Sequence, residues 1–170
     1  MGAFEVANTE SNYLNYSTGL LVSILLRYPE IVTISCNYEQ QTMVLKFLAT
    51  TGFDFTAIKT KLYQALEMFH KIEGRQMKRC DMEIFEQEMD LIVISRDLSS
   101  ITQSEISLIV EMMKDELANK LIADDANLPD EEILLQDEVI SHMITAIRAN
   151  GTEKSLTALR EEGRVLVFNG

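Results

Sequence analysis

The chain offers two histidines, two cysteines and twenty-seven carboxylates from which a reactive centre could be built. Glu67 and His70 stand at the Glu-x-x-His spacing of carboxylate-bridged metal bundles, which places both on one face of a helix. Such a site needs a second copy and two further glutamates, whereas the other pair, Glu138 and His142, has one residue too many. His70 is therefore read as an exposed histidine with an i,i+3 neighbour. Asp125, Asn127 and Asp130 echo a calcium loop. However, Asp130 stands where that loop needs glycine, and Gln136 stands where its bidentate glutamate belongs. The seven glycines are dispersed as helix stops instead of forming a phosphate loop. No Ser-His-Asp or Cys-His arrangement is readable. No catalytic residue, metal ligand or cofactor is assigned. Cys36 and Cys80 fall in predicted strands and read as reduced core thiols.

Two features remain as partner-binding candidates. The first is a cationic strip, His70, Lys71, Arg75, Lys78 and Arg79, in an otherwise acidic protein. Its plain reading is a solvated helix-to-strand corner; its functional reading is a docking point for an acidic protein surface, a phosphate or an RNA backbone. No aromatic residues are interleaved for base stacking, which weighs against RNA. The second is the tail Arg164, Val165, Leu166, Val167 and Phe168, either an edge strand of the protein's own sheet or a strand offered to another chain.

Positioning these residues falls to a helix over Asp54–Gly74, around which the chain is organised. Ile58, Leu62, Leu66, Phe69 and Ile72 form its apolar stripe, Asp54 its N-cap and Gly74 its left-handed stop. A helix over Tyr13–Tyr28, ended by Pro29, precedes a hairpin of Ile31–Tyr38 and Thr42–Ala49 turning at Glu39-Gln40-Gln41. A second hairpin, Arg75–Glu86 and Met89–Arg96, follows the organising helix. Thr102-Gln103-Ser104-Glu105 is a capping box, with Thr102 bonding forward and Glu105 reaching back. It opens a helix running to about Ile122, with Ile106, Ile109, Val110, Met113, Leu117 and Leu121 as its stripe. The acidic linker Asp124–Glu132 feeds a helix over Asp130–Ala149, with Leu135, Val139, Met143 and Ile147 inward. Thr152–Glu162 reads as a short helix, and Arg164–Phe168 as a last strand.

The expected fold is α+β. Two helix–hairpin units over residues 1–100 give a four-stranded antiparallel sheet with helices on one face. Residues 101–170 form a helical C-terminal part that packs on or extends from this core, with a final strand at 164–168.

At 170 residues, 46% hydrophobic, the composition is that of a globular protein. The longest apolar run, Gly19–Leu26, stops at Arg27, too short for a membrane helix. No basic region precedes an apolar core at the N-terminus, and Val6 breaks the myristoylation pattern that Met1-Gly2 opens. A cytoplasmic location without a membrane partner is expected. The net charge of −12 is uneven: residues 54–80 carry six basic and three acidic side chains, residues 81–170 seven basic and twenty acidic. That balance disfavours nucleic acid as the main partner.

The leading expectation is a non-enzymatic protein-binding or adaptor module, with a homodimer as one form of it. A nucleic-acid-associated factor using residues 70–79 is the alternative. A small enzyme would need a concave pocket gathering carboxylates such as Asp81 or Asp90. In size, acidity and helix–hairpin order the chain is also similar to secretion chaperones, although no motif carries that likeness.

Overall fold

The computed structural model describes residues 3–6, 16–125, 128–150 and 155–169. Helix α1 (Tyr16–Arg27) leads into the hairpin β2 (Thr33–Asn37) and β3 (Thr42–Ala49), after a first short strand β1 (Ala3–Val6). The start expected for α1 at Tyr13 lies outside the described residues. Helix α2 (Phe55–Ile72) leads into the hairpin β4 (Cys80–Phe85) and β5 (Asp90–Asp97). Helix α3 (Gln103–Leu117), a 3₁₀ turn Ala118–Lys120, a two-residue strand β6 (Leu121–Ile122) and helix α4 (Asp130–Asn150) follow. A last hairpin, β7 (Leu156–Glu161) and β8 (Arg164–Asn169), completes the order.

The fold is α+β, as expected, but the sheet is larger than four strands. Its order is β1-β8-β7-β2-β3-β5-β4, with β6 added beside the end of β3. All pairs are antiparallel except β1 with β8. The enlargement comes from the C-terminal part, which adds β6, β7 and β8, and from β1 near the N-terminus. Residues 156–161 are a strand and not the expected helix, because Leu156 and Ala158 alternate inward against outward Thr157 and Leu159. Glu162 (φ +49°) and Gly163 (φ +76°) then form a two-residue loop with both φ positive, the tight geometry that matches strand twist. Arg160 fastens this hairpin to α1 by donating to the carbonyls of Leu25 (2.5 Å), Tyr28 (3.2 Å) and Ile31 (3.3 Å). The Leu25 carbonyl is one of the last four of α1, which a helix end leaves unsatisfied.

One face of the sheet is buried. Ile34 and Cys36, Met43, Leu45 and Phe47, Ile92 and Ile94, Ala158, Val165 and Val167 all point to it. The opposite face keeps half-buried or exposed residues such as Val44, Lys46, Val93, Leu166 and Phe168. No described helix is long and apolar enough to cross a membrane.

Three helix details differ from expectation. On α2 the buried stripe is Ile58, Leu62, Leu66 and His70, four positions joined by strict i+4 steps, while Ile72 is exposed. On α4 the buried residues are Ile140, Ile144 and Ile147, and Leu135 is exposed. The helix is turned so that Met143 lies over Gly19 of α1, where the missing side chain lets the two helices approach closely. Helix α3 stops at Leu117 because Ala118 takes a positive φ (+49°), and Leu121 leaves the helix to pair with Ala49.

Candidate functional site

The expected cationic strip is divided: His70, Lys71 and Arg75 line one hollow with Tyr63, Glu67, Gln76 and Met77, while Arg79 turns to Asp81. His70, at the fourth position of the α2 stripe, is buried, with 1% of its surface exposed. Its Nε2 meets Glu105 Oε1, and its Nδ1 accepts from Arg75 Nε at 3.3 Å, an arrangement that places the ring proton on Nε2. Arg79 pairs with Asp81 at 2.8 Å. Lys71 and Lys78 remain exposed side chains of the corner.

Behind that corner lies a network which the sequence reading missed. Alternation along β5 turns Arg96 to the same face as Ile92 and Ile94, where it is completely buried. Its guanidinium grips Glu105 in a two-point fork, Nε to Oε2 at 2.5 Å and Nη2 to Oε1 at 2.8 Å. It also donates to Asp97, to Ser100 Oγ (2.9 Å) and to the Arg79 carbonyl (2.7 Å). The half of the capping box expected from Thr102 holds: its Oγ1 accepts from the Glu105 amide at 3.1 Å. Glu105 does not reach back, because both of its oxygens are held by Arg96 and His70. Burial alone would raise Asp97. Hydrogen bonds from Ser99, Ser100 and the Arg79 amide, with the Arg96 charge, outweigh it and hold the carboxyl well below the usual range. Glu105 opposes the desolvation of Arg96 and keeps the guanidinium charged. Arg148 of α4 donates to the carbonyls of Leu98 (2.8 Å) and Ile101 in the same turn. The network thus ties α2, β5, α3 and α4 together, with its polar atoms engaged among themselves.

Open chemistry lies instead along β4, the last strand of the sheet. Between α2 and β4 runs a hollow of about 480 Å³ walled by Phe55, Leu62, Tyr63 and Met82, with Lys59 and Thr60 on its rim. Cys80 faces into it, half-buried, its thiol pushed up to about 11 by burial. It is therefore a poor nucleophile at neutral pH. Cys36 is buried in the core with its thiol pushed up to about 12 for the same reason, and both cysteines are free.

Comparison with protein-family models, curated proteins and solved structures gives no match to this chain.

The tail residues are placed by the sheet itself. Strand β8 is hydrogen-bonded to β7 on one side and β1 on the other. Val165 and Val167 enter the core, while Leu166 and Phe168 lie on the open face beside Leu159 and Thr157. Arg164 begins the strand opposite Glu161. Of the two carboxylates considered, Asp81 is exposed on the open face, whereas Asp90 is buried on the helix-covered face. Among the described residues no group of three His, Cys, Asp or Glu side chains is disposed to hold a metal ion.

Proposed function

We infer that this chain is a non-enzymatic protein-binding module whose partner docks in the groove between α2 and β4. The observation that carries the reading is the pairing of an apolar groove with a strand edge that has no neighbour among the described residues. Backbone N–H and C=O groups on such an edge supply affinity to an added chain, and the groove alongside supplies selectivity. Two free, poorly nucleophilic thiols suit a reducing cytoplasm. The nucleic-acid alternative loses support because His70 is buried, Arg75 is turned to His70, and Arg79 is paired with Asp81.

The test is affinity capture from native cytosol, with and without nuclease, using the intact chain and a Thr60→Trp variant. Thr60 is exposed on the groove rim, so the indole fills the groove without touching the core. A protein partner that survives nuclease and is lost with Thr60→Trp is expected. Nuclease-sensitive recovery, or recovery indifferent to Thr60→Trp, overturns the reading.

A further inference from the structure

The groove along β4 changes character from one end to the other. Past Phe55 and Thr56 the apolar hollow adjoins a second one of about 460 Å³, lined by residues 51–56, Ile84, Glu86, Gln87 and Asp90. This end is acidic. Asp54 is engaged as the α2 cap, accepting from the Ala57 amide at 3.1 Å, and Glu86 is exposed at the rim. Asp90 is different: only 5% of it is exposed, and its Oδ1 has no hydrogen-bond partner among the described residues. No lysine or arginine lines this hollow. The Nζ of Lys120 lies at its margin beside Gly52 and makes no bond to that oxygen.

A buried carboxylate oxygen without a donor is costly to keep, and a partner that brings the donor recovers that cost. The absence of a three-ligand cluster among the described residues makes a single-point cation, an ammonium or guanidinium, the better fit than a metal ion. Along β4, Cys80, Met82 and Ile84 face the groove in turn, roughly 7 Å apart from one to the next. The side chains of an added strand would enter the groove with the same period. On the opposite face of β4 stand Asp81 and Glu83. Pairing β4 with β4 of a second copy would set these carboxylates against themselves, in a chain already at −12. A basic partner meets them favourably.

We propose that the β4 edge takes an extended segment of a partner protein by strand addition, an apolar side chain filling the Phe55–Met82 end of the groove and a lysine or arginine reaching Asp90 at the other. The proposal rests on the protein-binding reading and specifies its partner.

The experiment is selection of a displayed library of random peptides on the immobilised intact chain, followed by titration of synthetic versions of the enriched sequences. Enriched peptides are expected to carry a basic residue at a fixed, even spacing from an apolar one. Replacing that residue by norleucine should weaken binding at least about tenfold, the scale of one charge-assisted hydrogen bond. Asp90→Asn should weaken the basic peptide to the level of the norleucine peptide and leave the latter unchanged. N-methylation of alternate peptide amides should abolish binding. Peptides that bind and are blocked by Thr60→Trp, yet show no basic preference or no response to Asp90→Asn, overturn this proposal and leave the protein-binding reading intact. Tolerance of N-methylation at every position overturns strand addition. Failure to enrich any sequence over a bare support overturns both.

Discussion

Replacing Glu105 by glutamine tests the account of the buried network most directly. The change keeps the shape of the side chain and removes one charge. Arg96, completely buried, then loses the anion that holds it through two hydrogen bonds and keeps only Asp97. The new amide also turns an NH₂ toward either Arg96 or His70, setting donor against donor. Removing one partner of a buried ion pair costs about 3–5 kcal/mol, a large share of the roughly 5–15 kcal/mol that holds a typical domain together. In urea, with a slope near 2 kcal/mol per molar, the midpoint should fall by about 1.5–2.5 M. The exposed pair is the control: Arg79→Ala, which breaks the contact with Asp81, should cost less than about 1 kcal/mol. Combining Glu105→Gln with Arg96→Met should cost clearly less than the sum of the two changes, because each alone strands the other's charge. A Glu105→Gln midpoint within experimental error of the parent, or strict additivity, would refute the claim that this network clamps the helices to the sheet.

Asp90→Asn should raise stability by about 1 kcal/mol, since it replaces a buried carboxyl group whose Oδ1 has no hydrogen-bond partner among the described residues, and a higher melting temperature reads this out. A lower one would show that the carboxylate is already satisfied in the free protein. Acid should destabilise the chain through Asp97. Its folded value lies below the unfolded one, so its contribution is whole above about pH 4 and is lost as pH falls below that. Asp97→Asn should flatten the acid limb of a pH–stability curve, and an unchanged limb would remove Asp97 from that role. At the alkaline end the raised thiols of Cys36 and Cys80 retain protons that the unfolded chain gives up. Stability should therefore fall from about pH 9 upward, and a Cys36→Ala, Cys80→Ala variant should lose that fall. Gly163→Ala should cost about 1 kcal/mol although nothing lies within 4 Å of the new methyl, because the penalty is backbone strain at positive φ. A neutral result would mean that the β7–β8 turn relaxes to another geometry.

Local signals in the sequence carried the elements well where chain neighbours decide them. Asp54 and Thr102 cap their helices as their positions predict, and Gly74 ends α2 with a positive φ. The first hairpin forms without an Asn-Gly turn because Asn37 Oδ1 accepts from the Gln40 amide and Gln41 tolerates a φ of +55°. Residues 156–161 read as helix from sequence because Leu156, Leu159 and Arg160 suit a helix as well as a strand, and sheet pairing on both sides decides between them. The signal that could have settled it is Glu162-Gly163 between two alternating runs. The network was hidden for a different reason. Glu105 had a local partner in the capping box, and its actual partners, His70 and Arg96, are 35 and 9 residues away. Two clues were nonetheless present. His70 continues the i+4 series of Ile58, Leu62 and Leu66, and Arg96 shares its parity with Ile92 and Ile94.

Of the three buried carboxylates, Glu105, Asp97 and Asp90, the first and last separate structure from function by their partners. Glu105 is saturated: two hydrogen bonds from Arg96 and one contact with His70 occupy its oxygens, so a ligand would have to break the clamp to use it. Asp90 sits at comparable depth but beside a hollow and with an oxygen unclaimed, next to the only sheet edge that β4 leaves unpaired among the described residues. Selection for stability alone would favour asparagine or an apolar residue there. An aspartate at that position is explained when the energy lost in the free protein returns on binding a cation. This is why a rise in stability and a loss of basic-peptide affinity should appear together in the same substitution.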